Sequence, residues 1–128
     1  MKTGFTLTEL IIVIVIIGIL ATLGITQYGS VKERALAREA IANLKLIASA
    51  ERIYRMEYDV YYPVSTQNEI NSNLRLFVTE RNWDYVVSVI GGGFTATSDR
   101  QGTGGYLDCQ YTFSDADAEP IPNASCPP

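Results

Sequence analysis

The sequence predicts an α+β protein: a long N-terminal helix packed on a small antiparallel sheet, with a C-terminal loop that two cysteines could close. Three observations carry that expectation. Between Glu9 and Lys32 lie 22 residues without a charge. From Val31 the apolar residues narrow to a helical stripe, and no proline intervenes before Pro63. Beyond Pro63 come β-branched and aromatic runs punctuated by glycine clusters.

The uncharged stretch is the first element. A helix over residues 10–31 would be roughly 33 Å long, enough for a hydrocarbon core of about 30 Å. Its densest part, residues 10–25, covers about 24 Å and is diluted by Gly18, Thr22 and Gly24. β-Branched residues abound and would suit a strand in water. In lipid a lone segment must satisfy its own backbone hydrogen bonds, which only a helix does. Glu9 stands at the edge of this block, where a carboxylate is costly and needs a reason to be present. An ordinary secretory signal fits poorly, because its charged region would hold an acid and Leu23 and Ile25 make a poor cleavage site. A plain anchor leaves Glu9 unexplained.

The second half of the helix is amphipathic. Ile41, Leu44, Ile47, Ala48, Glu51, Tyr54 and Tyr58 recur at steps of three or four, one face with a single acidic interruption. Glu51 and Arg55 stand at i and i+4, the favourable order for an ion pair. Six alanines between Ala35 and Ala50 add helix propensity. The helix is expected to run from about Thr6 to Tyr58, roughly 80 Å. Pro63 disfavours helix in the residue before it, so residues 59–63 end the element.

Residues 65–75 read as a loop or short helix. Strands are expected at 85–90, 94–97 and 106–113. The glycines at 91–93 suit a hairpin turn. In the third run Leu107, Cys109, Tyr111 and Phe113 alternate with polar neighbours and are expected to face the helix. A three- or four-stranded antiparallel sheet on a helix follows.

Charge is uneven. Residues 32–58 hold six basic and four acidic side chains; residues 59–128 hold three basic and nine acidic, within a net charge of −4. The acidic distal part argues against general binding to nucleic-acid phosphates, which needs clustered Lys and Arg. The stripe Lys32, Arg34, Arg38, Lys45, Arg52 and Arg55 reads as solvated helix positions or inter-subunit pairs. Lys2 favours a cytoplasmic N-terminus, although Lys32 and Arg34 weaken that bias. If the C-terminal part is exported, Cys109 and Cys126 fit a disulfide. The alternative, free thiols or a metal pair, lacks further ligands, since the chain has no histidine.

Gly4-Phe5-Thr6-Leu7-Thr8-Glu9-Leu10, with the apolar stretch and Gly18 behind it, resembles the class III signal sequence of type IV pilins and type II secretion pseudopilins. The resemblance is strong over residues 1–31, looser to about Pro63, and only architectural beyond. It implies the pilin fold and three parts: a leader at 1–4, a transmembrane and filament-core helix at 5–31, and a globular head at 32–128. It implies that a prepilin peptidase cuts after Gly4 and that Phe5 is then N-methylated. Glu9 would pair with the new amine of a neighbouring subunit and set register, because two buried charges cost less together than apart. Cleavage would also remove Lys2 and leave a net charge of −5. Many relatives place proline where Thr26 stands here; with Gly18 and Gly24 as the remaining weak points, melting of residues 18–26 in a fibre is the less supported expectation.

The function implied is a structural filament subunit, not an enzyme, and no cofactor is expected. Partners would be sibling subunits, the membrane, the peptidase, an assembly ATPase and an inner-membrane platform protein. The chain would sit in the inner membrane with its head outside the cytoplasm before joining a fibre. A type II secretion pseudopilin is the alternative, and a minor tip subunit binding DNA or a surface is a third. The cysteine pair leans towards a pilin, since most major pseudopilins lack one. Asp115, Asp117 and Glu119 alternate as calcium-type oxygen ligands can, but without the glycine and bidentate acid of an EF-hand. Neither glycine cluster is followed by Lys-Ser/Thr, so neither reads as a phosphate loop.

Overall fold

The computed structural model describes residues 4–103 and 105–128, and the side chains of all of these except 23–27. Lys2, Gly104 and the side chain of Thr26 therefore lie outside what is described, as do the surroundings of Gly24. The chain divides into two compact units, Met1–Lys32 and Glu33–Pro128.

In the first unit, α1 (Leu7–Tyr58) begins just after the Gly4-Phe5-Thr6 segment. The described apolar side chains here are exposed all round the helix, from Ile11 at 47% to Leu7 at 77%. Among the described residues no helix is long and apolar enough to cross a membrane. The apolar run whose side chains are described, residues 7–22, reaches only about 24 Å, short of a core of about 30 Å. The remainder of the expected span passes through residues 23–27.

In the second unit α1 buries one face. Ala37, Ala40, Leu44, Ile47 and Ala48 are buried, at the three-and-four spacing that keeps residues on one side of a helix. Against them lies a four-stranded antiparallel sheet in the order β1 (Trp83–Ile90), β2 (Gly93–Arg100), β3 (Gln110–Ser114), β4 (Ile121–Pro122). Trp83, Tyr85 and Val87, then Phe94, Ala96 and Ser98, then Tyr111 and Phe113 point inward, alternating with half-exposed neighbours. Register sets inward residues opposite one another: Tyr85 faces Ser98, Val87 faces Ala96, and Ala96 faces Phe113.

Polar bonds fasten helix to sheet where the rings reach it. The Trp83 indole N–H donates to the Leu36 carbonyl at 2.9 Å, and Asn43 Nδ2 donates to the Tyr85 hydroxyl at 2.9 Å. A Trp or Tyr in a core needs such a partner for its polar tip. Burial still pushes the Tyr85 hydroxyl up to about 12, against the opposing pull of the Asn43 bond.

Gly91 and Gly92 both have positive φ, 63° and 84°, and Ile90 pairs with Gly93. That is the two-residue turn whose twist suits a hairpin. The segment after α1 contains α2 (Gln67–Asn73), capped by the Thr66 side chain and the Glu69 carboxylate reaching back to the Thr66 N–H.

Four expectations are corrected. Residues 106–108 form a turn rather than strand, and Leu107 is 48% exposed; β3 begins only at Gln110. The second strand extends to Arg100, beyond the four residues expected, because β1 and β3 pair along it. Tyr58, placed on the packed stripe, is exposed. Glu51 does not pair with Arg55. It is fully buried, and its Oε2 accepts the Tyr62 N–H at 2.9 Å, while Arg55 donates to the Tyr61 hydroxyl at 2.9 Å. Asp59, at φ 62°, turns the chain back so that these residues reach the helix. A buried carboxylate gains more from a backbone N–H in the same dry site than from an exposed cation.

Candidate functional site

The residues before α1 form a capping box. The Glu9 Oε2 accepts the Thr6 N–H at 3.0 Å and the Thr6 hydroxyl at 3.0 Å, while the Glu9 N–H donates to Thr6 Oγ1 at 3.3 Å. Thr6 is thus the N-cap and Glu9 the third helical residue, each satisfying a donor that the helix start leaves orphaned. The Thr-x-x-Glu spacing carries this signal in the sequence, in addition to the cost of an acid in lipid.

Gly4 and Phe5 precede the helix. Phe5 is 82% exposed, and the space beside Gly4 is open. A backbone bond outside a helix and free of neighbours is accessible to cleavage.

Cys109 and Cys126 form a disulfide, with Cα atoms 4.5 Å apart. Cys109 is buried beside the sheet, and the bond ties the segment after β4 to the start of β3. Asn123, in the triplet Asn123-Ala124-Ser125, donates to the Asp108 carbonyl at 2.8 Å and accepts the Ser125 N–H at 3.1 Å.

The three acids weighed for calcium are not gathered. Asp117 accepts the Ser114 hydroxyl and N–H at 2.7 and 2.9 Å, which holds its carboxyl below the usual range. Glu119 pairs with Lys45. Asp115 lies over Gly93, where an added Cβ would meet its carboxylate oxygens at 2.9 and 3.1 Å. Among the described residues no group of three or more acidic or sulfur side chains could hold a metal ion.

Two charged arrangements were not legible beforehand. Arg100, nearly buried, sets Nε and Nη2 against the two Glu33 oxygens at 3.3 Å each, and its Nη1 donates to the Asn82 carbonyl at 3.0 Å. Burial first and Asp84 second raise the pKa of Glu80, against a smaller opposing pull from the Gln67 backbone. Buried oxygens without a partner remain on Glu51 (Oε1), Glu80 (Oε1) and Ser98 (Oγ).

Residues 1–25 match the family described as the prokaryotic N-terminal methylation motif. The type IV major pilin protein PilA of Myxococcus xanthus is 38% identical over 91 residues, 70% of this chain and 38% of that protein. The type II secretion system core protein G of Escherichia coli is 36% identical over 66 residues, 52% of this chain and 45% of that protein. Its counterpart in Pseudomonas aeruginosa is 38% identical over 66 residues, 52% of this chain and 46% of that protein. No solved structure matches the chain. The matches thus span less than half the length of each of these relatives.

The architecture is that of the pilin fold: a long N-terminal helix packed on a four-stranded antiparallel sheet, with a C-terminal disulfide. The chain carries the N-terminal methylation motif and is a homologue of type IV pilins and of type II secretion core protein G.

Proposed function

We propose that this chain is a structural subunit of a type IV pilus-like filament. It is inserted in the inner membrane, cleaved after Gly4, N-methylated on Phe5 and polymerised through residues 5–31. The observation that carries the reading is the surface of the first unit. Ile, Leu and Val residues stand half-exposed around the whole circumference of the helix, within the matched methylation motif. A contiguous apolar surface of that kind needs lipid or other apolar helices around it.

Glu9 then takes a second role. In the single chain it caps the helix through Thr6. Cleavage would place a cationic amine on Phe5, one residue from that N–H, and a sibling's amine would compete for the same carboxylate in the polymer. A prepilin peptidase, an assembly ATPase and a platform protein are the partners this route requires. On this reading the chain acts by assembly rather than by catalysis.

Mass spectrometry of protein from the producing cell tests the reading. The expected chain begins at methylated Phe5 and weighs two hydrogens less than the reduced form. An intact Met1, or loss of the whole apolar stretch, rejects it.

The similarity to type II secretion core protein G supports a second reading, a type II secretion pseudopilin. Surface fibres in cells lacking the secretion channel favour the pilus; their absence favours the pseudopilus. A minor tip subunit would be nearly missing from sheared fibres, whereas a major one dominates them.

A further inference from the structure

A row of basic side chains lies along the exposed side of α1. Arg34, Arg38, Lys45 and Arg52 are exposed and follow one another at steps of four, seven and seven, which keeps them on a single stripe. Lys45 meets Glu119. Among the described residues Arg34 and Arg38 make no ion pair, and they rim a groove with Ala37, Ile41, Tyr111 and Pro127. Two guanidiniums one helical turn apart, beside an apolar floor, suit carboxylates better than any neutral group.

The complementary feature is the turn between β3 and β4. Asp115 and Glu119 are exposed there, and Asp117 is folded inward onto Ser114, which stiffens the turn. The Lys45–Glu119 contact demonstrates within one chain that this turn accepts a cation from this stripe. Among the described residues, Lys45 alone on this stripe has an ion pair.

We propose that the Arg34–Arg38 groove seats the acidic turn at residues 114–119 of a second copy of this chain. The inference rests on the filament reading and names a head-to-head contact within it. Charge complementarity selects the occupant: nine acids against three bases lie at residues 59–128, and the basic stripe lies on the helix. A nucleic acid fits less well. Two arginines release few counterions, too few for general binding to phosphates.

The test uses the full-length chain in the producing cell. Arg34→Glu with Arg38→Glu should lower the yield of sheared polymer about tenfold, as like charges set across a contact do. Adding Asp115→Lys and Glu119→Lys should restore a substantial part of it. Independently, polymer carrying Arg38→Cys and Ala116→Cys, treated with a short bismaleimide, should run as a covalent ladder, and each single substitution should not. Parental yield from the double Glu variant, with no ladder from the double Cys variant, overturns the contact. So does loss of DNA retention at unchanged yield, which would assign the groove to nucleic acid. If the parent forms no polymer at all, the filament reading itself fails; if polymer forms normally without the ladder, only this contact does.

Discussion

Residues 7–22 and residues 33–58 belong to the same helix yet solve opposite problems. In the first stretch Leu10, Ile14 and Ile17 are each 57–59% exposed, and no side of the helix is preferred. In the second, Leu44 and Ile47 are fully buried while Leu46 and Ile53 stay about half-exposed. A helix that is apolar on every side is specified by its surroundings, one with a single apolar face by its own chain. The difference teaches that helix content alone says nothing about what a segment packs against. The distribution of side chains around the axis does.

The comparison can be broken most sharply in the core. Leu44→Ala should cost the head about 2–5 kcal/mol, because a filled site under the sheet becomes a cavity. Thermal unfolding of the full chain in detergent measures it, and a loss below 1 kcal/mol would mean Leu44 is not packed as described. The matched change in the first stretch, Ile14→Lys, should leave that unfolding transition unmoved. It should instead disfavour membrane insertion by about 2.5–3.5 kcal/mol, seen as protein lost from the membrane fraction. Equal fractionation of parent and variant would remove the lipid-facing reading of this segment.

The disulfide belongs to the head alone. Replacing Cys109 and Cys126 together by Ser should lower stability by about 3 kcal/mol, the chain-entropy value for closing a loop of this size. Denaturant titration of the full chain in detergent checks this, with an unchanged midpoint as the contrary result.

A smaller effect is expected at Glu51, the acid on the buried face. Burial raises its pKa above the ordinary carboxylate value, and the Tyr62 N–H offsets only part of that. The folded state therefore favours the protonated acid. The stabilisation this brings is fully present below the unfolded pKa and is lost as pH rises through the folded one. Glu51→Gln keeps an oxygen for the Tyr62 N–H and removes the charge. The variant should melt higher than the parent at pH 7, by about 1 kcal/mol, the low end of the cost of an unsatisfied buried group. The gap should close towards pH 4. Parallel melting curves across that range would show that Glu51 does not titrate in the fold.

Much of the architecture was readable in one dimension because its causes are local. The three-and-four recurrence of Leu44, Ile47 and Ala48 announced the buried face, and the Gly91-Gly92 pair announced the hairpin. The candidate site was readable in part: Gly4, Phe5 and Glu9 were singled out, but Thr6 was passed over although its bond to Glu9 spans only three residues. The start of β3 misled for a different reason. Alternation continues through Leu107, yet a strand needs a partner, and pairing with β2 begins only at Gln110.

By itself, then, the sequence determined the periodicity of α1, its uncharged first stretch, the position of the tight turn and the motif at the N-terminus. Only the tertiary structure decided that Glu51 would turn to the Tyr62 N–H rather than to Arg55, that Glu33 would meet Arg100 67 residues away, and that Asp117 and Glu119 would part to different partners. The reason is range. Helix and turn preferences are written within a few residues, whereas the partner of a buried charge is whichever group the folded chain brings into the same dry space.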